Sequence, residues 1–312
     1  IVTLVLAFAA YQWDGIQTEA VMSRAVVEAG PLLLGALCGL LCERSGIINI
    51  GIEGTMLMSA FAGFFIASYS GTVWLGILGG LGMSAIIGAF LAWTSITLRQ
   101  DQIIAGTIIN IFALGFTSFY YVQGRTMPGV PSVSIPYLED LPLLGPMLFR
   151  HGILTFSAMA LVVVVHLFLY RTRWGLRTRA IGEHPSAADT VGVNIISLRY
   201  RNVILASMLG GLAGLHLLQS ASSFQRGMTN GKGFIALAVM LFGRYRPFGA
   251  MGAALLFGFL GGLQAQLQFK QALDIPPQFF GMIPYLLTII VLAAAGLAAR
   301  PPAAAGTPYE GA

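Results

Sequence analysis

Of the 312 residues in this chain, 56% are hydrophobic and only 9% are charged. That balance excludes a large water-soluble domain and specifies a multispanning membrane protein. The net charge of +5 at pH 7 does not imply nucleic-acid binding, because the arginines fall between apolar runs, where they bear on orientation.

In chain order, residues 1–10 are apolar but too short to cross a bilayer. The chain has no initiator Met, so this run reads as a trimmed first helix rather than a signal peptide. Candidate segments follow at 20–42, 47–69, 72–98, 102–122, 152–170, 203–219, 233–243, 248–267 and 282–299, the run 233–243 being too short to cross alone. The fold class expected is an all-α membrane protein of about ten transmembrane or half-membrane helices. One transmembrane domain would cover residues 1–300. The Pro/Ala/Gly-rich tail 301–312 is expected to be a disordered cytoplasmic extension. Cys38 and Cys42, four apart in one run, read as small packing residues, with no metal-ligand spacing and poor geometry for a disulfide.

Between the first two long runs lies Glu43-Arg44-Ser45-Gly46-Ile47-Ile48-Asn49-Ile50-Gly51-Ile52-Glu53-Gly54. Hydrocarbon offers no hydrogen bonds to an unwound backbone, so a Gly-rich polar stretch at membrane depth must be buried in protein or face a watery cavity. Asn49 and Glu53 would share a face if the stretch were helical. It reads equally as a binding or gating element and as a helix start capped by Ser45 or Asn49.

Orientation follows from the basic residues. Placing the basic loop 171–201 in the cytoplasm puts Arg171, Arg173, Arg177, Arg179, Arg199 and Arg201 inside. Arg44, Arg99, Arg244, Arg246 and Arg300 follow by alternation. Arg24, Arg125, Arg150, Arg226, Lys232 and Lys270 fall on or near the outside, so both termini are expected in the cytoplasm. The external loop 124–150 holds Pro128, Pro131, Pro136, Pro142 and Pro146, a stiff surface suited to a partner or simply a long connection.

A second polar break, Asn230-Gly231-Lys232-Gly233, precedes the apolar run 234–242 and echoes the first. An odd segment offset between the two implies an inverted repeat, and paired Gly-interrupted segments point to a transport site near the midplane. The candidate path residues are Asn49, Glu53, Asn230 and Lys232, with Phe224 and Phe234 flanking the second break. Capping of half-helices is the plainer role for the polar four, and ordinary packing for the aromatics. Gly35-xxx-Gly39, Gly210-xxx-Gly214 and Gly258-xxx-Gly262 read as helix-packing seams. Arg24 and Glu28, four apart, read as a structural ion pair.

Several chemistries are excluded. Lys232 lacks the upstream glycine of a P-loop, no metalloprotease or nucleophile-elbow motif occurs, and the four histidines are scattered. No catalytic residue, metal or cofactor is expected.

Three ordered blocks carry a resemblance: residues 43–54; Arg179-Ala180-Ile181-Gly182-Glu183 with Ala187-Ala188-x-x-x-Gly192; and residues 228–238 with Phe242-Gly243-Arg244-x-x-Pro247. Together they resemble permease subunits of ATP-binding-cassette importers of the simple-sugar, nucleoside and branched-chain amino acid group, the nucleoside type most closely. Tyr245 departs from the pattern, where Trp is expected in many relatives. The resemblance implies a bacterial plasma-membrane importer with separate ATPase subunits, a second permease subunit expected to be a paralogue, and an external binding protein that delivers a nucleoside or simple sugar. Within the inner loop, Pro185 can start a short helix at 186–193 capped by Ser186. Ala187, Ala188 and Gly192 leave one side of it small, and the resemblance makes this helix the contact with the ATPase. Two other classes remain: a self-sufficient ion-coupled carrier, for which Glu53 is the best intramembrane acid, and a structural membrane subunit without a path.

Overall fold

A backbone in hydrocarbon must satisfy its own hydrogen bonds, so each long apolar run is helical and each ends where glycine or a polar cap supplies a turn. The computed structural model describes residues 18–134, 150–270, 281, 282, 286, 289 and 300–309. Among these, α1 (Thr18–Glu43), α2 (Ile52–Ser70), α3 (Val73–Ala92) and α4 (Gln102–Phe119) form the first half, α3 being extended by a π-turn at Trp93–Thr97. A short antiparallel hairpin, β1 (Ser132–Ser134) with β2 (Arg150–Gly152), leads into α5 (Ile153–Arg171). Then come α6 (Arg173–Glu183), α7 (Pro185–Thr190), α8 (Ile195–Ala221), α9 (Lys232–Phe242) and α10 (Pro247–Lys270). Seven of the described helices, α1 to α5, α8 and α10, are long and apolar enough to cross a membrane. At 11 residues, α9 is about 16 Å long, half a hydrocarbon thickness.

The segments expected at 1–10 and 282–299 lie outside the described residues, apart from isolated positions in the second, as do Pro136, Pro142 and Pro146. The other eight segments coincide with helices to within a few residues, except that α8 begins eight residues early and α2 five residues late. α8 starts early because the Asn194 carboxamide caps its first turn, accepting from Ser197 N at 2.9 Å. α2 starts late because the break occupies its expected first turn.

The core is arranged around α1, whose apolar residues are buried on every side and which packs against α10, α8, α9 and α5. The three glycine seams are helix contacts. A methyl group at Gly35 would meet Ala236 of α9, one at Gly214 the Met56 carbonyl of α2, and one at Gly258 the Ala25 carbonyl of α1. Ser59 ties three helices together, lying 3.0 Å from the Gly80 carbonyl and 2.9 Å from that of Gly211.

Two expectations are corrected at one end of the bundle. The basic stretch 171–201 is mostly helical, because Thr172 caps α6 by accepting from Gly175 N at 3.0 Å and Asn194 caps α8. Residues 300–309, expected to be disordered, dock onto that surface. Ala304 N donates to the Gly182 carbonyl at 2.9 Å, Gly306 N to the Gly46 carbonyl at 3.2 Å, and the Tyr309 hydroxyl to Asp189 of α7 at 2.6 Å. The buried Arg199 completes the attachment by donating to Ser45 O and Thr307 O. A segment poor in apolar side chains is thus held by its backbone, which composition does not reveal.

Candidate functional site

The first break turns at Arg44 to Gly46, runs non-helical from Ile47 to Ile50, and re-enters a helix at Ile52. Its unwound backbone is satisfied from α4. Gln102 accepts from Ile48 N at 2.7 Å, and Asn110 accepts from Gly54 N at 2.7 Å while donating to Ile50 O at 3.0 Å. Gly106 lies between them, and any side chain there would strike Gly51 N. Polar, small and polar residues at i, i+4 and i+8 therefore form a stripe that fits the unwound chain. Asn110→Leu leaves two backbone groups unpaired and should destabilise the protein by about 2–6 kcal/mol. Thermal unfolding of the purified protein in detergent should show a clear drop in Tm. Ile111→Ala, at a position 68% exposed on the same helix, should leave it unchanged.

The two breaks touch each other. Glu53 presents one carboxylate oxygen to Gly231 N at 2.7 Å and the other to Gly233 N at 2.6 Å. It therefore caps α9 from a different helix, placing negative charge where the free N–H groups and the helix dipole favour it. At the opposite end of α9, Arg44 donates to the Tyr245 carbonyl at 3.0 Å, a cation where the dipole favours one. One stretch of chain, residues 44–53, thus holds both poles of the half-helix. Tyr245 is buried beside Glu43, and burial together with that carboxylate raises its phenol above the usual range. The departure from Trp accordingly places a hydroxyl against an acid.

At the Glu53 end opens a cleft of about 320 Å³ between α1, α9 and α10. Its polar lining is Arg24, Glu28, Asn230, Lys232, Gln264 and Gln268; Leu32, Ile235 and Phe257 supply an apolar wall. Glu28 bridges Arg24 at 3.1 Å and Lys232 at 2.6 Å, so the pair read as structural joins the second break into one network. Two features of the local structure go against preference. Lys232 stands in the first turn of α9, where the dipole disfavours a cation. Asn230 holds φ at 43°, in the left-handed region that few non-glycine residues occupy.

The named residues separate into groups. Asn230 and Lys232 line the cleft, and Glu53 supports it from behind. Asn49 is fully buried, its amide 3.7 and 3.8 Å from the Cys38 and Cys42 sulfurs. Phe224 packs in an aromatic cluster with Phe61, Phe64 and Tyr121, while Phe234 is 49% exposed and is not part of the cleft wall. Around α7, Ser186, Ala187 and Gly192 are exposed and Pro185 is half-buried, but Ala188 faces inward against Ile181 and Ile195. Gln102, Asn110, Gln264 and Gln268 escaped the sequence reading, and Arg199 was read there only as a cytoplasmic basic residue. The first two were legible as a stripe; the others needed the tertiary fold.

The family model described as "Branched-chain amino acid transport system / permease component" matches residues 21–292. The guanosine ABC transporter permease protein NupQ of Bacillus subtilis is 37% identical over 300 residues, covering 91% of this chain and 94% of that protein. The nucleoside ABC transporter permease protein NupC of Lactococcus lactis is 35% identical over 293 residues, covering 88% and 92%. In fold, the chain is similar to a solved transporter described as of the metal-chelate ABC type, in an inward-facing conformation, with a TM-score of 0.51 at 15% identity, covering 95% of this chain and 96% of that one.

Proposed function

We propose, since the chain belongs to the family of branched-chain amino acid transport system permease components, that it carries a nucleoside through the membrane as one permease subunit of an ATP-driven importer. The observation that carries this reading is the half-helix α9, which has the polar cleft at one end and is held at the other by the Arg44 turn. Movement of that turn would be transmitted to Lys232 and Asn230 at the solute. Family membership gives the ion-coupled carrier no support. ATP hydrolysis belongs to separate ATPase subunits, docked on the side of α6 and α7. The second permease subunit is taken to be a paralogue, and an external binding protein delivers solute at the cleft end. The distribution of basic residues along the sequence supports a cytoplasmic side for α7 and both termini in a bacterial cell.

A neutral hydroxylated solute fits the cleft chemistry. Each hydroxyl both donates and accepts, and the Glu28–Lys232 pair offers an acceptor beside a donor. At about 320 Å³ the cleft is at the small end of ligand pockets, suiting a nucleoside or a monosaccharide rather than an oligomer. The names of the relatives favour the nucleoside; a simple sugar is the second reading.

Uptake of labelled uridine, adenosine and ribose by the assembled transporter tests this directly, and transport of none of them would sink it. Lys232→Met should reduce nucleoside uptake about 10- to 100-fold, the value of a hydrogen bond to a charged group. Cysteines placed at Asn230 and Lys232 should react with a water-soluble thiol reagent and be protected by solute. The native Cys38 and Cys42 are buried and should give little background.

A further inference from the structure

On the side of the molecule opposite the solute cleft lies a second cavity, of about 830 Å³, between the ends of α5 and α9, the start of α10, and α6. Four guanidinium groups face it, from Arg44, Arg179, Arg244 and Arg246, and no residue of its described lining is acidic. Among the described residues the one carboxylate paired with this group is Glu183, which reaches Arg44 at 3.8 Å and is itself 48% exposed. Gathering four like charges around one cavity is unfavourable unless an anion completes it. Two guanidinium Nε atoms, of Arg44 and Arg179, are buried without a hydrogen-bond partner. The Arg179 guanidinium also sits over the Tyr170 ring, 4.9 Å from its centre, a contact that restrains a planar fork of the kind that suits phosphate oxygens. Arg244 and Tyr245 keep φ at 51° and 54°, two consecutive left-handed non-glycine residues that fix the turn bearing Arg244.

The surroundings distinguish one source of phosphate. His166 and Tyr170 line the cavity from α5. One turn away on the same helix Val163, Val164 and Leu167 are 47%, 55% and 49% exposed. Phe248, also in the lining, is 47% exposed. An apolar helix face therefore continues outward from the arginine cavity at the level where a membrane span ends. We propose that this cavity binds the headgroup phosphate of an anionic phospholipid, with the acyl chains lying along α5. The four arginines stand on the side expected to be cytoplasmic, where basic pockets between helices recruit anionic lipid.

The site also has a consequence for transport. Arg44 belongs both to this cavity and to the clasp on α9, so a bound headgroup would stiffen the turn through which α9 is held.

The test uses the complete transporter with its ATPase subunits, in vesicles of phosphatidylcholine alone or mixed with phosphatidylglycerol. The parental complex should retain phosphatidylglycerol through purification, as read by native mass spectrometry, and should transport faster in the mixed vesicles. The double variant Arg179→Gln/Arg246→Gln should bind phosphatidylglycerol about 10- to 30-fold more weakly and lose the stimulation, while its affinity for phosphatidylcholine is unchanged. If the double variant does not assemble, Arg246→Gln alone, at an exposed position, should give about a 5-fold loss. Equal retention of phosphatidylglycerol by parent and variant would overturn the proposal. So would stabilisation by inorganic phosphate in pure phosphatidylcholine with no further effect of the lipid, which would assign the cavity to a free anion. Release of the ATPase subunits from the variant with lipid retention intact would assign it to an acidic partner surface and equally overturn the lipid reading.

Discussion

Glu53→Ala is expected to abolish uptake, and it should do so while every side chain lining the polar cleft between α1, α9 and α10 stays in place. The carboxylate receives two backbone N–H donors, from Gly231 and Gly233, that have no alternative acceptor within their own helix turn. Each donor left unpaired away from water costs about 1–3 kcal/mol, so the truncation costs about 2–6 kcal/mol. Even 2 kcal/mol changes the ratio of two conformations about 30-fold. The loss falls on the carboxylate contact that joins the first break to the second, so α9 should separate from α2 before the bundle as a whole loosens. Glu53→Gln keeps one acceptor oxygen and loses the charge at the dipole's positive pole, and should fall between parent and Ala. Gly233→Ala reaches the same contact from the other side, because a Cβ there would lie 2.6 Å from both Cα and N of Glu53. Phe234→Ala, one residue on and facing outward, should transport normally. Uptake measured beside membrane abundance and ATPase co-purification would decide. Parental transport by Glu53→Ala would show that the clasp has no part in the cycle.

Among the described residues the placement of the long helices was legible, because membrane length and apolar run length are the same constraint. Both polar breaks were legible for a related reason, as glycine and asparagine interrupting an apolar run are conspicuous at membrane depth. What joins them was not. Glu53 and Gly231 are 178 positions apart, and no local pattern announces that one carboxylate caps the other's helix. The cleft was half legible. Lys232 and Asn230 stand in a break, but Gln264 and Gln268 sit at the end of an ordinary apolar helix and acquire meaning only when α10 packs beside α1. Asn49 shows the converse. It is polar in a conspicuous stretch, and it is spent inside the core against two sulfurs. The tail misled for yet another reason. Proline, alanine and glycine suggest disorder when side chains are weighed, whereas residues 300–309 are held through backbone groups by Gly182, Gly46 and Arg199.

Val191→Asp is expected to uncouple ATP hydrolysis from uptake. Pro185 begins α7 and Gly192, at φ 80°, ends the turn after it, so the short helix is fixed at both ends and cannot slide without moving its neighbours. Its inner side is committed, since Ala188 packs with Ile181 and Ile195 and Asp189 accepts from Tyr309. The outer side carries Ser186, Ala187 and Val191, and Val191 is 77% exposed, an apolar side chain at the tip of an otherwise basic surface. From α7 the load has a short route inward. The end of α6 lies so close to the first break that any side chain at Gly182 would collide with the Arg44 carbonyl, and Arg44 holds α9. If the ATPase receives this tip in a groove, burying a carboxylate there costs at least about 2 kcal/mol, or roughly 30-fold in productive docking. Uptake should fall by that order while ATPase activity persists and the permease stays in the membrane at parental abundance. Ala188→Glu should behave differently, lowering Tm through an unpaired charge in the Ile181–Ile195 cluster before any docking step. If Val191→Asp transported at the parental rate with its ATPase bound, the tip of α7 would be a solvated surface and the docking contact would have to lie elsewhere.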